Sequence, residues 1–175
     1  MEKEPQTLRK TKTMSVKQAI LRLFKKNRQE HKELDKELIS PNNIISFRAG
    51  YDLTQLPIVT LYQGDKVFNF LLDTGSNDSI IDSNVLKDIE HTMSDEKSSL
   101  YGLEGNAREV GKCSITLSYQ GSDYPYEYIV CDMTGPFSKI KAESGVILHG
   151  LIGSKFFNTY KYVLDFESLI AYSKK

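Results

Sequence analysis

The stretch Val67–Ile81, reading VFNFLLDTGSNDSII, constrains this chain more than any other. Val67, Phe68, Phe70, Leu71 and Leu72 put five apolar side chains into six positions, and a turn follows at once, which predicts a strand buried on both faces rather than a helix. Asp73 therefore emerges at a strand's end. Thr74, Gly75, Ser76, Asn77, Asp78 and Ser79 are turn formers, and Ile80 and Ile81 restart an extended segment. An acid is placed where burial gives out.

The chain has 175 residues, 39% hydrophobic and 26% charged, which suits one globular domain with an extension. Lys+Arg 23 against Asp+Glu 23 leaves a formal net charge of zero, so no global field draws in nucleic acid or an anionic membrane, and neither is expected as a partner. Cys113 and Cys131 lack metal-ligand spacing and do not cluster with His31, His91 or His149, so neither a metal nor any other cofactor is expected. Whether the two cysteines pair stays open. Arg22 interrupts the one apolar run near the N-terminus, and no run approaches the roughly 20 residues of a membrane span. A soluble, cytoplasmic protein is expected.

Taken in order, residues 1–14 read as a mobile polar tail. Residues 15–40 read as an amphipathic helical extension: Ser15 and Gln18 form a capping box, and Val16, Ile20, Leu23 and Phe24 lead a stripe that runs on to Leu34 and Leu38 before Pro41. Such a stripe serves either to dock a partner or second copy, or to pack on its own domain. From residue 41 to 175 the helical period gives way to strands, at Ile44–Phe47 and Ile58–Tyr62, with Gly50 and Pro57 as punctuation and Gln63–Lys66 as a hairpin turn into the Val67 strand. Asp82 or Ser83 caps a short helix through Val85, Leu86 and Ile89. Glu90–Lys97 reads as a polar connection and Ser98–Asn106 as a hairpin tip. Strands are expected at Ala107–Val110 running into Cys113–Tyr119, and at Tyr124–Cys131, with Asp132–Gly145 as a long irregular loop. An apolar run Val146–Ile152, a helix from Ser154 to about Tyr160 and a hairpin of Tyr162–Phe166 with Leu169–Tyr172 complete the chain.

A single carboxylate on a glycine turn seldom suffices to activate water. Two facing carboxylates do, because like charges in contact cannot both ionise and so share one proton, giving a base and an acid together. No second copy of the motif is present: Asp132-Met133-Thr134-Gly135 is spaced wrongly and Glu143-Ser144-Gly145 carries the wrong acid. The second acid has to come from a second copy of the chain.

In these residues the chain resembles the retropepsin-like aspartic proteases. Asp73, Thr74, Gly75 and Ser76 match that family's catalytic turn, and Gly150, Leu151, Ile152 and Gly153 match its second signature, two apolar residues followed by glycine. Tyr101, Gly102, Leu103 and Gly105 fall where the family has its flap. The resemblance covers roughly Ile44–Tyr172. It implies a mainly β, closed-barrel fold with one lobe per chain and a short C-terminal helix, here carrying the N-terminal helical extension in addition. It also implies an endopeptidase acting on peptide or protein substrates as a homodimer. By position, Asp73 is the catalytic acid, paired with its own copy. Thr74 exchanges hydrogen bonds between subunits, Gly75 offers its N–H to the acid, Ser76 donates to the outer carboxylate oxygen, and Leu151, Ile152 and Gly153 brace the turn. His149, beside the second signature, is expected to be structural. The alternative is a catalytically silent relative that dimerises or binds peptide through the helix at Ser15–Leu38.

Overall fold

The structure, a computed structural model, describes residues 44–101 and 107–173, the side chains of Leu100, Tyr101, Ala107 and Arg108 excepted. The expected N-terminal tail and helix, and residues 102–106 of the expected hairpin tip, lie outside the described residues.

Alternation of apolar and polar residues builds most of the molecule. β2 (Ile58–Gln63) and β3 (Lys66–Leu72) form an antiparallel hairpin in which Gln63 pairs with Lys66 across the two-residue turn Gly64–Asp65. Gly64 takes the positive φ of 56° that such a turn needs and that glycine adopts freely. In β3, Phe68, Phe70 and Leu72 point into the core, whereas Val67 is 51% exposed. The expected strand buried on both faces is therefore half-buried: its other face, carrying Asn69 and Leu71, is only partly covered. β6 (Ala107–Tyr119) and β7 (Ser122–Cys131) make a second hairpin through Gln120 and Gly121, both at positive φ.

The two hairpins are joined by short strands. β4 (Ile80–Asp82) runs parallel to β7, and β8 (Gly150–Ile152) lies between β3, to which it is parallel, and β4, to which it is antiparallel. The order β2-β3-β8-β4-β7-β6 closes where Tyr62 of β2 pairs with Ser118 of β6. The fold is mainly β, with a closed six-strand barrel and three helices among the described residues. Inside lie Val59, Leu61, Phe68, Phe70, Ile81, Cys113, Ile115, Leu117, Tyr128 and Ile152. Cys113 is buried and both cysteines are free thiols. A separate sheet of β1 (Ile44–Ser46), β10 (Ile170–Ser173) and β9 (Tyr162–Asp165) gathers the two ends of the described chain.

Three segments depart from the sequence expectation. Glu90–Lys97 is no mere connection: β5 (Thr92–Tyr101) occupies it and pairs with β6, with a register shift between Ser94 and Lys97. Its polar residues fit because β5 is an edge strand, exposed along most of its length. α1 (Arg48–Thr54) forms around Gly50, where a Cβ would meet the Ile58 carbonyl oxygen at 2.4 Å, so the glycine permits close packing rather than punctuating strands. Asp132–Gly145 is largely a helix, α2 (Thr134–Ser144). Gly135 and Pro136 sit in its first turn, where no backbone donor is needed, and Gly145 closes it with φ 75°. Phe137 and Ile140, three residues apart, supply the inward face. By contrast, Asp82 takes the expected capping position, accepting from the Asn84 N–H at 3.2 Å, but the helix it caps is the single turn Ser83–Val85 and does not run on to Ile89.

His149 is held as a structural group. Its Nδ1 accepts from the Asn69 N–H at 2.9 Å, its own N–H donates to the Asn69 carbonyl, and its ring meets Phe68 edge-on. Burial lowers its pKa below the ordinary 6.5, outweighing the Asn69 hydrogen bond and the nearby Asp82 and Asp88 charges. Because the unfolded chain then binds the proton more readily, stability is full above pH 6.5 and is lost as pH falls from 6.5 toward the lower folded value. Urea titrations at pH 7.5 and pH 5 are expected to show a drop that His149→Gln, which keeps an acceptor for Asn69, flattens.

Candidate active site

The Asp73 turn is clamped from three directions. From one side, the Asp73 N–H donates to the Ile152 carbonyl at 2.9 Å, extending the β3–β8 pairing by one residue. From below comes α3 (Ser154–Tyr160), whose first amides have no partner inside the helix. They find one in the turn: Ser154 N–H donates to Ser76 O at 2.8 Å and Lys155 N–H to Asn77 O at 3.1 Å. On the third side, buried Ser79 accepts the Gly153 N–H on its hydroxyl at 3.1 Å, while its carbonyl accepts the Ile129 N–H from β7. Lys155 adds an ion pair to Asp78 at 2.5 Å.

Sequence dictates this arrangement through glycine and aromatic rings. A Cβ at Gly150 would lie 2.3 Å from the Ile80 carbonyl oxygen and 2.6 Å from the Phe70 ring, and one at Gly153 would lie 2.4 Å from the Asp78 carbonyl oxygen. Only glycine lets β8 pass between β3 and β4. α3 in turn is anchored by Phe156 and Phe157, and the Phe156 ring packs against Tyr160 at 4.7 Å and Tyr126 at 5.1 Å. Tyr160 donates to the Pro125 carbonyl at 2.7 Å, tying the helix to β7.

On this platform the Asp73 carboxylate is half-buried, and its Oδ1 accepts the Gly75 N–H at 2.9 Å. A Cβ on Gly75 would approach that oxygen to 3.2 Å. Ser76 differs from expectation: its hydroxyl donates to the Asp78 carbonyl at 2.8 Å, closing the turn on itself instead of reaching Asp73. A short side chain two residues before a free carbonyl bonds locally in preference. Thr74 is exposed.

The rejected acids stand elsewhere. Asp132 follows β7 at the end of β4 that carries Asp82, away from the turn that enters β4 at Ile80. Its carboxylate accepts the Thr134 N–H at 2.9 Å, which holds its pKa below the usual range. Glu143 pairs with Lys139 on the exposed side of α2. Of the flap candidates, Tyr101 ends β5 with its backbone paired to Ala107, while Gly102, Leu103 and Gly105 lie outside the described residues. Gly150, Leu151, Ile152 and Gly153 are all buried; Ile152 and Gly153 lie against the Asp73 turn, whereas Gly150 and Leu151 pair with Phe70 and Leu71 of β3 and with β4. The sequence reading missed Ser154 and Lys155 as anchors of the turn. Their signal was present, since they begin a helix directly after the second signature.

No protein-family model and no curated protein sequence matches the chain. Among solved structures, the EIAV protease complexed with the inhibitor HBY-793 is similar to it at 19% sequence identity and a TM-score of 0.44, over 62% of this chain and 91% of that one. No helix among the described residues is long and apolar enough to cross a membrane.

Proposed function

We propose that the chain is one half of a retropepsin-like aspartic endopeptidase, active as a homodimer in which two Asp73 carboxylates face each other. The observation that carries this reading is the Asp73 turn itself: a half-buried carboxylate, oriented by the Gly75 N–H and fixed by Ile152, Gly153, Ser154 and Lys155. A turn clamped so thoroughly holds its acid in place without moving during reaction, which is what electrostatic preorganisation requires.

In the dimer one Asp73 is ionised and the other protonated. The ionised carboxylate takes a proton from a water molecule, whose oxygen attacks the peptide carbonyl carbon, while the protonated acid gives its proton to the carbonyl oxygen. Collapse of the resulting gem-diol moves a proton to the leaving nitrogen and breaks the C–N bond, with no covalent enzyme intermediate. Exposed Thr74 is the residue through which one turn meets its copy, and the β5–β6 hairpin closes over the peptide.

Light scattering with mass resolution tests the assembly. A dimer is expected, with specific activity falling on dilution through its dissociation range and inhibition by pepstatin-type compounds. A strict monomer, even with a peptide inhibitor present, would overturn the reading.

A further inference from the structure

β8 is only three residues long, and it is fastened where it begins. His149, the residue before it, donates its N–H to the Asn69 carbonyl of β3 at 2.9 Å, and its own carbonyl accepts the Asp82 N–H of β4 at 2.9 Å. The Asn69 N–H returns a bond to Nδ1 of the His149 ring at 2.9 Å, and the Asn69 side-chain amide donates to the Ile147 carbonyl at 3.0 Å. Thr60 in turn donates to the Asn69 side-chain oxygen at 2.9 Å, which fixes the orientation of that amide. Four bonds therefore tie residues 147–149 to β3 and β4. Three residues on, roughly 10 Å along the strand, the Ile152 carbonyl holds the Asp73 N–H.

One of these bonds depends on a proton. A backbone N–H can only donate, so Nδ1 accepts it only while bare. A proton on Nδ1 sets two donors against each other at 2.9 Å and leaves the Asn69 N–H without an acceptor. At neutral pH the surroundings keep the nitrogen bare. The ring is half-buried, with Phe68 edge-on at 5.4 Å, and burial keeps its pKa below 6.5. Asp82 on β4 and Asp88 beyond it act the other way. Of the cations on neighbouring elements, Lys66 of β3 donates to the Asp88 carbonyl at 2.6 Å, and Lys141 of α2 lines a cavity with Asp82, Ile147 and Leu148. Residues 146–148 carry no charge. The ring therefore exchanges its hydrogen bond for a proton in acid, below pH 6.5.

We propose that His149 is an acid-released latch on the clamp of the Asp73 turn: bare, Nδ1 fastens the entry of β8 to β3, and a proton there frees it. The effect on hydrolysis rests on the reading of Asp73 as the catalytic acid; the release itself does not. Amide hydrogen exchange followed by NMR on the full chain from pH 7.5 to pH 5, corrected for the intrinsic pH dependence of exchange, tests it. Protection of the Asn69, Asp73 and Gly153 amides is expected to fall together by about tenfold or more beyond any loss in the β6–β7 hairpin. The midpoint of that fall should match the titration of the His149 ring. His149→Gln, or His149→Asn if that variant does not fold, offers an uncharged oxygen to the Asn69 N–H and should abolish the fall. A His149 ring that titrates at 6.5 or above, a fall no larger than that of the β6–β7 hairpin, or an unchanged fall in the variant would overturn the proposal. In hydrolysis, the parent should lose rate over the same pH range and the variant should keep it. Exchange needs no substrate, so its failure counts against the latch, whereas absence of hydrolysis at every pH counts against the reading of Asp73.

Discussion

Asp73→Asn is expected to reduce peptide hydrolysis by at least about 10³-fold while the protein stays folded. Asparagine keeps an oxygen where Oδ1 accepts the Gly75 N–H at 2.9 Å, and the Ile152 and Gly153 contacts use backbone and Ser79 rather than the carboxyl, so the turn retains its anchors. What disappears is the capacity to take a proton from water, and general acid–base catalysis of this kind contributes roughly 10²–10⁴-fold before the loss of the shared proton is counted. In the proposed homodimer both halves carry the change, so no wild-type acid remains. The readout is initial rate on a peptide library at several pH values, with thermal unfolding as the control. Cleavage at the parental rate in a folded variant would end the enzyme reading. A folded variant whose parent also fails to cleave points to the silent relative instead.

The second large effect concerns stability. Gly150→Ala and Gly153→Ala are each expected to cost about 3 kcal/mol or more, since the added methyl would lie 2.3 and 2.4 Å from backbone oxygens that cannot yield as a flexible side chain can. In a domain of this size that lowers Tm by about 10 °C or more. Gly153→Ala should also depress activity beyond the loss of folded protein, because the backbone it displaces, Asn77–Asp78, belongs to the turn that carries Asp73. Gly135→Ala is the control: it meets nothing within 4 Å and sits in the first turn of α2, so alanine is expected to be neutral or to stabilise slightly. Differential scanning calorimetry of the three variants distinguishes a general glycine effect from a local one. Equal, small shifts in all three would show that β8 is not as tightly threaded as these distances require.

Local pattern carried much of this architecture in the open. The hairpins at Gly64 and Gly121, the cap at Asp82 and the helix after Gly153 each follow from residues within a few positions of one another, where turn chemistry and periodicity act directly. The half-exposed face of β3 was not legible, because Val67 and Leu71 are as apolar as Phe68 and Phe70, and only the neighbouring strands decide which row is covered. α2 was hidden by Gly135 and Pro136, which break helices everywhere except in a first turn. β5 was hidden by its polarity, which is how an edge strand is written. At the Asp73 turn, the residue types were readable but the direction of the Ser76 hydroxyl was not: a choice between two acceptors a few ångströms apart depends on geometry that spacing does not encode.

The passage of β8 between β3 and β4 has a consequence for how the protein is made. Gly153 and Ser79, joined by a hydrogen bond, are 74 residues apart in the chain, and Lys155 and Asp78 are 77 apart. Synthesis proceeds from the N-terminus, so the strand and turn bearing Asp73 leave the ribosome long before the segment that clamps them exists. Pairings across such separations are also slow to close, since the intervening loop must lose its freedom first. The acid is therefore the early part of the chain and its alignment the late part. A nascent chain cut short before residue 150 would carry Asp73 and yet lack the partners that orient it, so the clamped turn forms only once residues 152–155 have emerged.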